Sequence, residues 1–111
     1  SFCYIDDCVM GIYKLMRSDY HAPLNLGQDR LISINALADI IADIAGISII
    51  KKHVRGPQGV RGRNSDNTRL RDVLGWEPQI SLEEGLERTY SWIEGQVQKK
   101  LSKEHVISPV A

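Results

Sequence analysis

Apolar side chains recur along this chain at helical spacing in three stretches and gather into short dense runs in three others. Val9, Ile12, Tyr13 and Met16 fall at i, i+3, i+4 and i+7, one face of a helix expected to end near Ser18. Ile34, Leu37, Ala38, Ile41, Ile44 and Ala45 form a second stripe, with Ser33 placed to cap its start and Gly46 to end it. Leu82, Leu86, Tyr90, Ile93, Val97 and Leu101 form a third, spaced by four, four, three, four and four. Ser81 followed three residues later by Glu84 is a capping box for that last helix.

The dense runs read as strands. Phe2–Ile5 is aromatic and β-branched, Ala22–Gly27 carries Pro23 where only a strand start or edge accepts it, and Ile47–Val54 leaves the core at Lys51 and Lys52. Residues 55–66 form a loop holding Gly56, Pro57, Gly59 and Gly62, and helix resumes near Asn67 until Gly75. Trp76-Glu77-Pro78 is a rigid corner, because the residue before proline is pushed out of the helical region. The order β-α-β-α-β-loop-α-α predicts an α/β arrangement in which this chain finishes a larger sheet. No internal repeat interrupts it.

At 111 residues the chain is one domain at most, read as a body over 1–103 and a tail over 104–111. Asp6 and Asp7 suit the cap and first turn of the first helix, where negative charge is favourable. Adjacent carboxylates there point apart and do not make an acid/base pair. Trp76 and Trp92 are expected to anchor the corner and the last helix to the core, and Tyr90 to join them. Cys3 and Cys8 are too few for a disulfide framework, and the three scattered histidines offer them no metal partners. His53 and the Lys99-Lys100 pair are explained by a strand end and a helix carboxyl end.

No apolar run approaches membrane length and no leader-like segment opens the chain, which starts at Ser1-Phe2. The expectation is a cytoplasmic protein without a membrane partner, whose amino-terminal part lies elsewhere.

Charge changes the picture at one place. Acids and bases balance at 14 each, but residues 51–71 hold seven basic residues and only one acid, Asp66. A balanced chain with one basic segment points to a local anion and away from nucleic acid, whose binding grows with the number of phosphates neutralised. The segment contains Arg61-Gly-Arg-Asn-Ser-Asp-Asn67. Its glycines let backbone N–H groups approach a ligand, and arginines two residues apart present forks that match phosphate oxygens. It feeds a helix start, itself favourable to anions, which Asp66 or Asn67 would cap. Composition alone equally allows Arg61 and Arg63 to be solvated charges or partners of Asp66 and Glu77.

Five pieces occur in order: Phe2-Cys-Tyr-Ile-Asp-Asp-Cys8, Pro23-Leu-Asn-Leu-Gly27, the arginine loop, Leu74-Gly-Trp-Glu-Pro78, and Leu82-Glu-Glu-Gly-Leu86 with Thr89 and Trp92. Together they resemble the carboxy-terminal third of the extended short-chain dehydrogenases/reductases, the NAD-dependent sugar-nucleotide epimerases and dehydratases. Gly59-Val-Arg-Gly-Arg-Asn-Ser-Asp-Asn67 is similar to the signature of those members that epimerise GDP-mannose. The resemblance implies that Arg63 contacts the substrate diphosphate, with Arg61 and Asn64 as further substrate-binding candidates.

What such enzymes need for catalysis lies outside this sequence. It has no Gly-x-Gly-x-x-Gly turn for NAD and no Tyr-x-x-x-Lys pair, since Tyr4, Tyr13, Tyr20 and Tyr90 are followed at that spacing by Cys8, Arg17, Leu24 and Glu94. The family's proton-handling cysteine and lysine also fall upstream, so no catalytic role passes to Cys3 or Cys8. The resemblance therefore implies a nucleotide-sugar-binding portion, inactive alone, completed by a Rossmann half that binds NAD. The whole enzyme would oxidise C4 of the hexose transiently and invert C3 and C5, and members of the family commonly form homodimers. Two alternatives stand beside it: part of another nucleotide-sugar epimerase or 4,6-dehydratase, or a stand-alone anion-binding or interaction domain.

Overall fold

A computed structural model describes residues 1–107, with side chains through His105. Four helices make its frame: α1 (Ile5–Met16), α2 (Ile34–Ala45), α3 (Thr68–Leu74) and α4 (Leu82–Ile107). Their limits follow local chemistry. The Ser33 hydroxyl accepts from the Ala36 amide at 3.1 Å, and Gly46 closes α2 at a φ of 68°, where a Cβ would be strained. Gly75 closes α3 in the same way, at a φ of 60°. The Ser81 hydroxyl accepts from the Glu84 amide at 3.1 Å. The reciprocal half of that box is not made, because the Glu84 carboxylate pairs with Arg88 one turn on.

The expected β-α alternation is not found. Among the described residues there is no strand: Phe2–Tyr4, Ala22–Gly27 and Ile47–Val54 are irregular, and Ile5 already belongs to α1. The sequences have strand character, but a strand exists only through a ladder of hydrogen bonds to a neighbour. No neighbouring strand lies within these residues to provide one.

The beginning of α1 is corrected as well. Tyr4 is its cap residue and makes no side-chain cap bond, while Asp6 and Asp7 sit inside the first turn. Asp7 is only 5% exposed, and its Oδ2 accepts from the Ile80 amide at 2.8 Å. One carboxylate thus ties the start of α1 to the approach of α4, 73 residues on. Gly11 makes the same junction tight, since a Cβ there would stand 2.6 Å from Leu26 and 3.0 Å from the Trp76 ring. Trp76 does anchor the corner.

Packing is sparse elsewhere. The Cα radius of gyration is 19.1 Å, against about 13 Å for a compact chain of this length. The accessible surface is 9143 Å², against roughly 6,200 Å² for a folded monomer of this mass. α2 packs on α4, and Ala42 and Leu70 are buried. The apolar face of α1 does not enter a core: Val9, Ile12 and Tyr13 are exposed and Met16 is 79% exposed. Trp92, expected in the core, is 66% exposed, and Ile93, Val97 and Leu101 of the apolar stripe of α4 are exposed as well. α4 continues through Ile107, four residues past the expected limit at Lys103, and the rest of the tail (108–111) lies outside the described residues. Among the described residues no helix is long and apolar enough to cross a membrane.

Candidate functional site

The arginine loop does not hang free. Its residues 64–67 run beside residues 27–29 in the opposite direction, joined by three cross-links. The Asn64 side-chain amide donates to the Asp29 carbonyl at 3.0 Å, the Ser65 amide to the Gln28 carbonyl at 2.9 Å, and the Asn67 Nδ2 to the Gly27 carbonyl at 2.7 Å. The approach is close enough that a Cβ on Gly27 would come within 3.0 Å of Ser65 Cβ. On its other flank, the Ser1 nitrogen donates to the Arg63 carbonyl at 2.6 Å.

Two shallow hollows flank this strip, and Arg63 borders both. One, of roughly 460 Å³, is lined by Cys3, Asn25, Gln28, Asn64 and Ser65 among others. The second, of roughly 540 Å³, is walled by Phe2, Leu31, Ile34, Val60 and Arg61. The three residues singled out from sequence are thus brought to one place. Arg61 faces one hollow and Asn64 the other, with Arg63 between them. Asn64 has one amide hydrogen committed to Asp29, so its remaining capacity is smaller than that of the arginines.

Charge pairing separates these arginines from the rest. The ion pairs among the described residues engage Arg30 with Glu83, Lys51 with Asp39, Arg71 with Glu77, and Arg88 with Asp6 and Glu84. Neither Arg61 nor Arg63 forms one among these residues. The partners that sequence allowed them are taken: Glu77 holds Arg71, and Asp66 accepts from both the amide and hydroxyl of Thr68, at 3.0 and 2.7 Å. Those bonds, the hydroxyl's first, hold the Asp66 carboxyl below its ordinary pKa. Two guanidinium forks therefore stand exposed with no carboxylate beside them, over hollows open enough for a phosphate.

The helix following the loop adds less than expected. α3 has only seven residues, and its first amide is occupied by Asp66. Anion binding here rests on the arginines and the loop. Cys3 reaches the hollow's edge, but burial, then the charges of Asp7 and Cys8, push its thiol pKa up and keep it protonated. Among the described residues no cluster of His, Cys, Asp or Glu is arranged to hold a metal. Nor do the residues fit a dinucleotide, which requires a glycine turn between a strand and a helix; the chain has neither that spacing nor, in its described part, a strand.

Sequence reading missed two residues that shape the site. Asp7 was assigned a cap and instead reaches Ile80, and Asn67 was a cap candidate and instead reaches Gly27. Their sequence surroundings give no signal of burial: Asp7 lies between Asp6 and Cys8, and Asn67 between Asp66 and Thr68.

The proteins to which this chain is similar are enzymes named for nucleotide sugars. It is 45% identical over 100 residues to GDP-mannose 3,5-epimerase 1 of Oryza sativa subsp. japonica, covering 90% of this chain and 26% of that protein. It is 43% identical over 103 residues to GDP-mannose 3,5-epimerase of Arabidopsis thaliana, covering 93% and 27%. UDP-glucuronic acid decarboxylase 5 of Arabidopsis thaliana is 39% identical over 87 residues, 78% of this chain and 26% of the relative. The resemblance carried by the motifs is borne out, and the chain spans about a quarter of the length of the curated relatives it matches, as a carboxy-terminal portion would. No protein-family model matches it.

Proposed function

We propose that this chain is the nucleotide-sugar-binding portion of an enzyme resembling GDP-mannose 3,5-epimerase, and that Arg63 grips the diphosphate of the substrate. The observation that carries this reading is the pair of guanidinium groups, Arg61 and Arg63, without carboxylate partners among the described residues. A guanidinium fork donates two parallel hydrogen bonds to phosphate oxygens, and a diphosphate offers two phosphoryl groups to such forks. Arg63 borders both hollows and takes the bridging position; Arg61 supports it from one side and Asn64 from the other.

Catalysis is assigned elsewhere. The groups that would move hydride and protons, and the site for NAD, belong to an upstream Rossmann-type portion with which residues 1–103 would share the pocket. The exposed face of α1, Val9, Ile12, Tyr13 and Met16, is consistent with such a neighbour, since an apolar helix face of that size is normally covered. The isolated chain is then inactive, and the assembled enzyme is cytoplasmic and dimeric.

A second reading, a different nucleotide sugar on the same loop, is favoured by the 39% identity to a UDP-glucuronic acid decarboxylase. Calorimetry with GDP-mannose, GDP and UDP-glucose separates the two. Binding of both guanine nucleotides, weakened by about tenfold or more by Arg63→Ala, is expected; stronger binding of UDP-glucose moves the assignment to the second reading. Equal binding of all three, unaffected by the substitution, refutes a specific site.

A further inference from the structure

We infer that Asn67 is the positioning residue of the arginine loop: its buried amide locks residues 64–67 against residues 27–29 and thereby sets where Arg63 stands.

Asn67 is 3% exposed, an uncommon place for an uncharged amide unless every hydrogen bond is met. Both ends of its side chain are engaged. Nδ2 donates to the Gly27 carbonyl at 2.7 Å, and Oδ1 accepts from the Ser65 hydroxyl at 2.7 Å. It occupies the cap position of α3 yet makes no side-chain cap bond, because Asp66 caps the Thr68 amide in its stead. The amide is therefore free to reach across 40 positions of sequence. Only a side chain that donates and accepts from adjacent atoms does both jobs. Aspartate lacks the donor, leucine lacks both, and serine is too short to span them.

The consequence runs along the strip. Asn67 fixes Gly27 on one side and Ser65 on the other; Ser65 then donates its amide to Gln28, and Asn64 its side chain to Asp29. Arg63 immediately precedes Asn64, which makes the last of these cross-links, so its main chain inherits their register. Without Asn67 the first cross-link is lost and the loop, rich in glycine, regains conformations that carry the guanidinium off the hollow. Ordering that loop then has to be met from binding energy.

This rests on the reading of Arg63 as a diphosphate ligand, and the test separates the two. Inorganic pyrophosphate is titrated by calorimetry at low salt into the full 111-residue chain and its Asn67→Ala, Arg63→Ala and doubly substituted forms. Asn67→Ala is expected to weaken binding about tenfold on the unaltered background and less than about twofold once Arg63 is alanine, the non-additivity of groups that act together. The Ser65 amide proton, followed by NMR, should shift as its environment loosens while the helical circular dichroism stays constant. Affinity unchanged by Asn67→Ala, or a full tenfold loss persisting without Arg63, overturns the positioning role. Should Asn67→Ala lose its helical signal, Ser65→Ala removes one hydroxyl of the same lock and is expected to weaken binding about two- to threefold; unchanged affinity there also overturns it. If Arg63→Ala binds pyrophosphate as the unaltered chain does, the diphosphate reading falls and the positioning role with it. If Arg63→Ala weakens and Asn67→Ala does not, the positioning role falls alone.

Discussion

Residues 24–29 with 64–67 and residues 47–60 are both chain without regular structure, and they are held in opposite ways. The first pair of segments is cross-linked by Asn64, Ser65 and Asn67 and accepts the close approach at Gly27. In the second, Ile50 is 97% exposed, and Val54 and Val60 stand in solvent with it. Its first part, Ile47–Val54, has the composition of a core strand, but among the described residues no strand lies beside it. This chain is therefore ordered where its own residues supply both halves of an interaction. It is open where apolar surface and unpaired backbone call for a partner that residues 1–107 do not include. The bare faces of α1 and α4 belong with the second region, and the arginine loop grows out of the first.

Substitutions should reveal that contrast, largest effect first. Leu70→Ala empties the most buried large side chain, 2% exposed, and is expected to cost about 2–4 kcal/mol in urea unfolding. Asp7→Ala leaves the Ile80 amide without its acceptor inside the α1–α4 junction, and should cost about 1–3 kcal/mol by the same measurement. In the open region, Ile50→Ser should change stability by less than about 0.5 kcal/mol, and lower self-association in sedimentation. A cost at Ile50 matching that at Leu70 would erase the distinction between the regions.

Acidity gives the smallest effect and a defined sign. Thr68 holds the Asp66 carboxyl below its ordinary pKa, and Arg30, at 2.8 Å, does the same for Glu83. For a lowered carboxyl the stabilisation is complete above the unfolded-state value and disappears as pH falls through the folded one. Acidification through and below the ordinary carboxylate range should loosen the start of α3 and the Arg30–Glu83 pair, read as exchange of the Thr68 amide. Both carboxylates are solvent-screened, so the change is slight. Faster exchange on raising the pH from 5 to 7, beyond the intrinsic base-catalysed rate, would contradict the assignment.

Sequence and structure agree where the governing forces are local. Ser33, Gly46, Gly75 and Ser81 mark helix limits because capping and left-handed backbone depend on a few adjacent residues. The loop and its arginines are equally apparent, since their glycines and charges lie in one stretch. Strands 2–5, 22–27 and 47–54 fail for the opposite reason. Their period and composition are those of sheet, but the ladder that makes a strand is a property of two segments. Trp92 was placed in a core by its apolarity, and the element that would cover it is not among these residues. Asp7 and Asn67 each had a local role available at a helix start. Both are used instead for contacts 73 and 40 residues away, which no spacing rule displays.

The most direct test of the loop as a nucleotide-diphosphate site is an amide NMR titration of this chain with GDP-mannose, with Arg63→Ala in parallel. The account predicts saturable shifts confined to residues 24–29 and 61–67, absent in the substituted chain. Shifts that persist without Arg63, or that cluster instead around Lys99, Lys100 and Lys103 on α4, would contradict it.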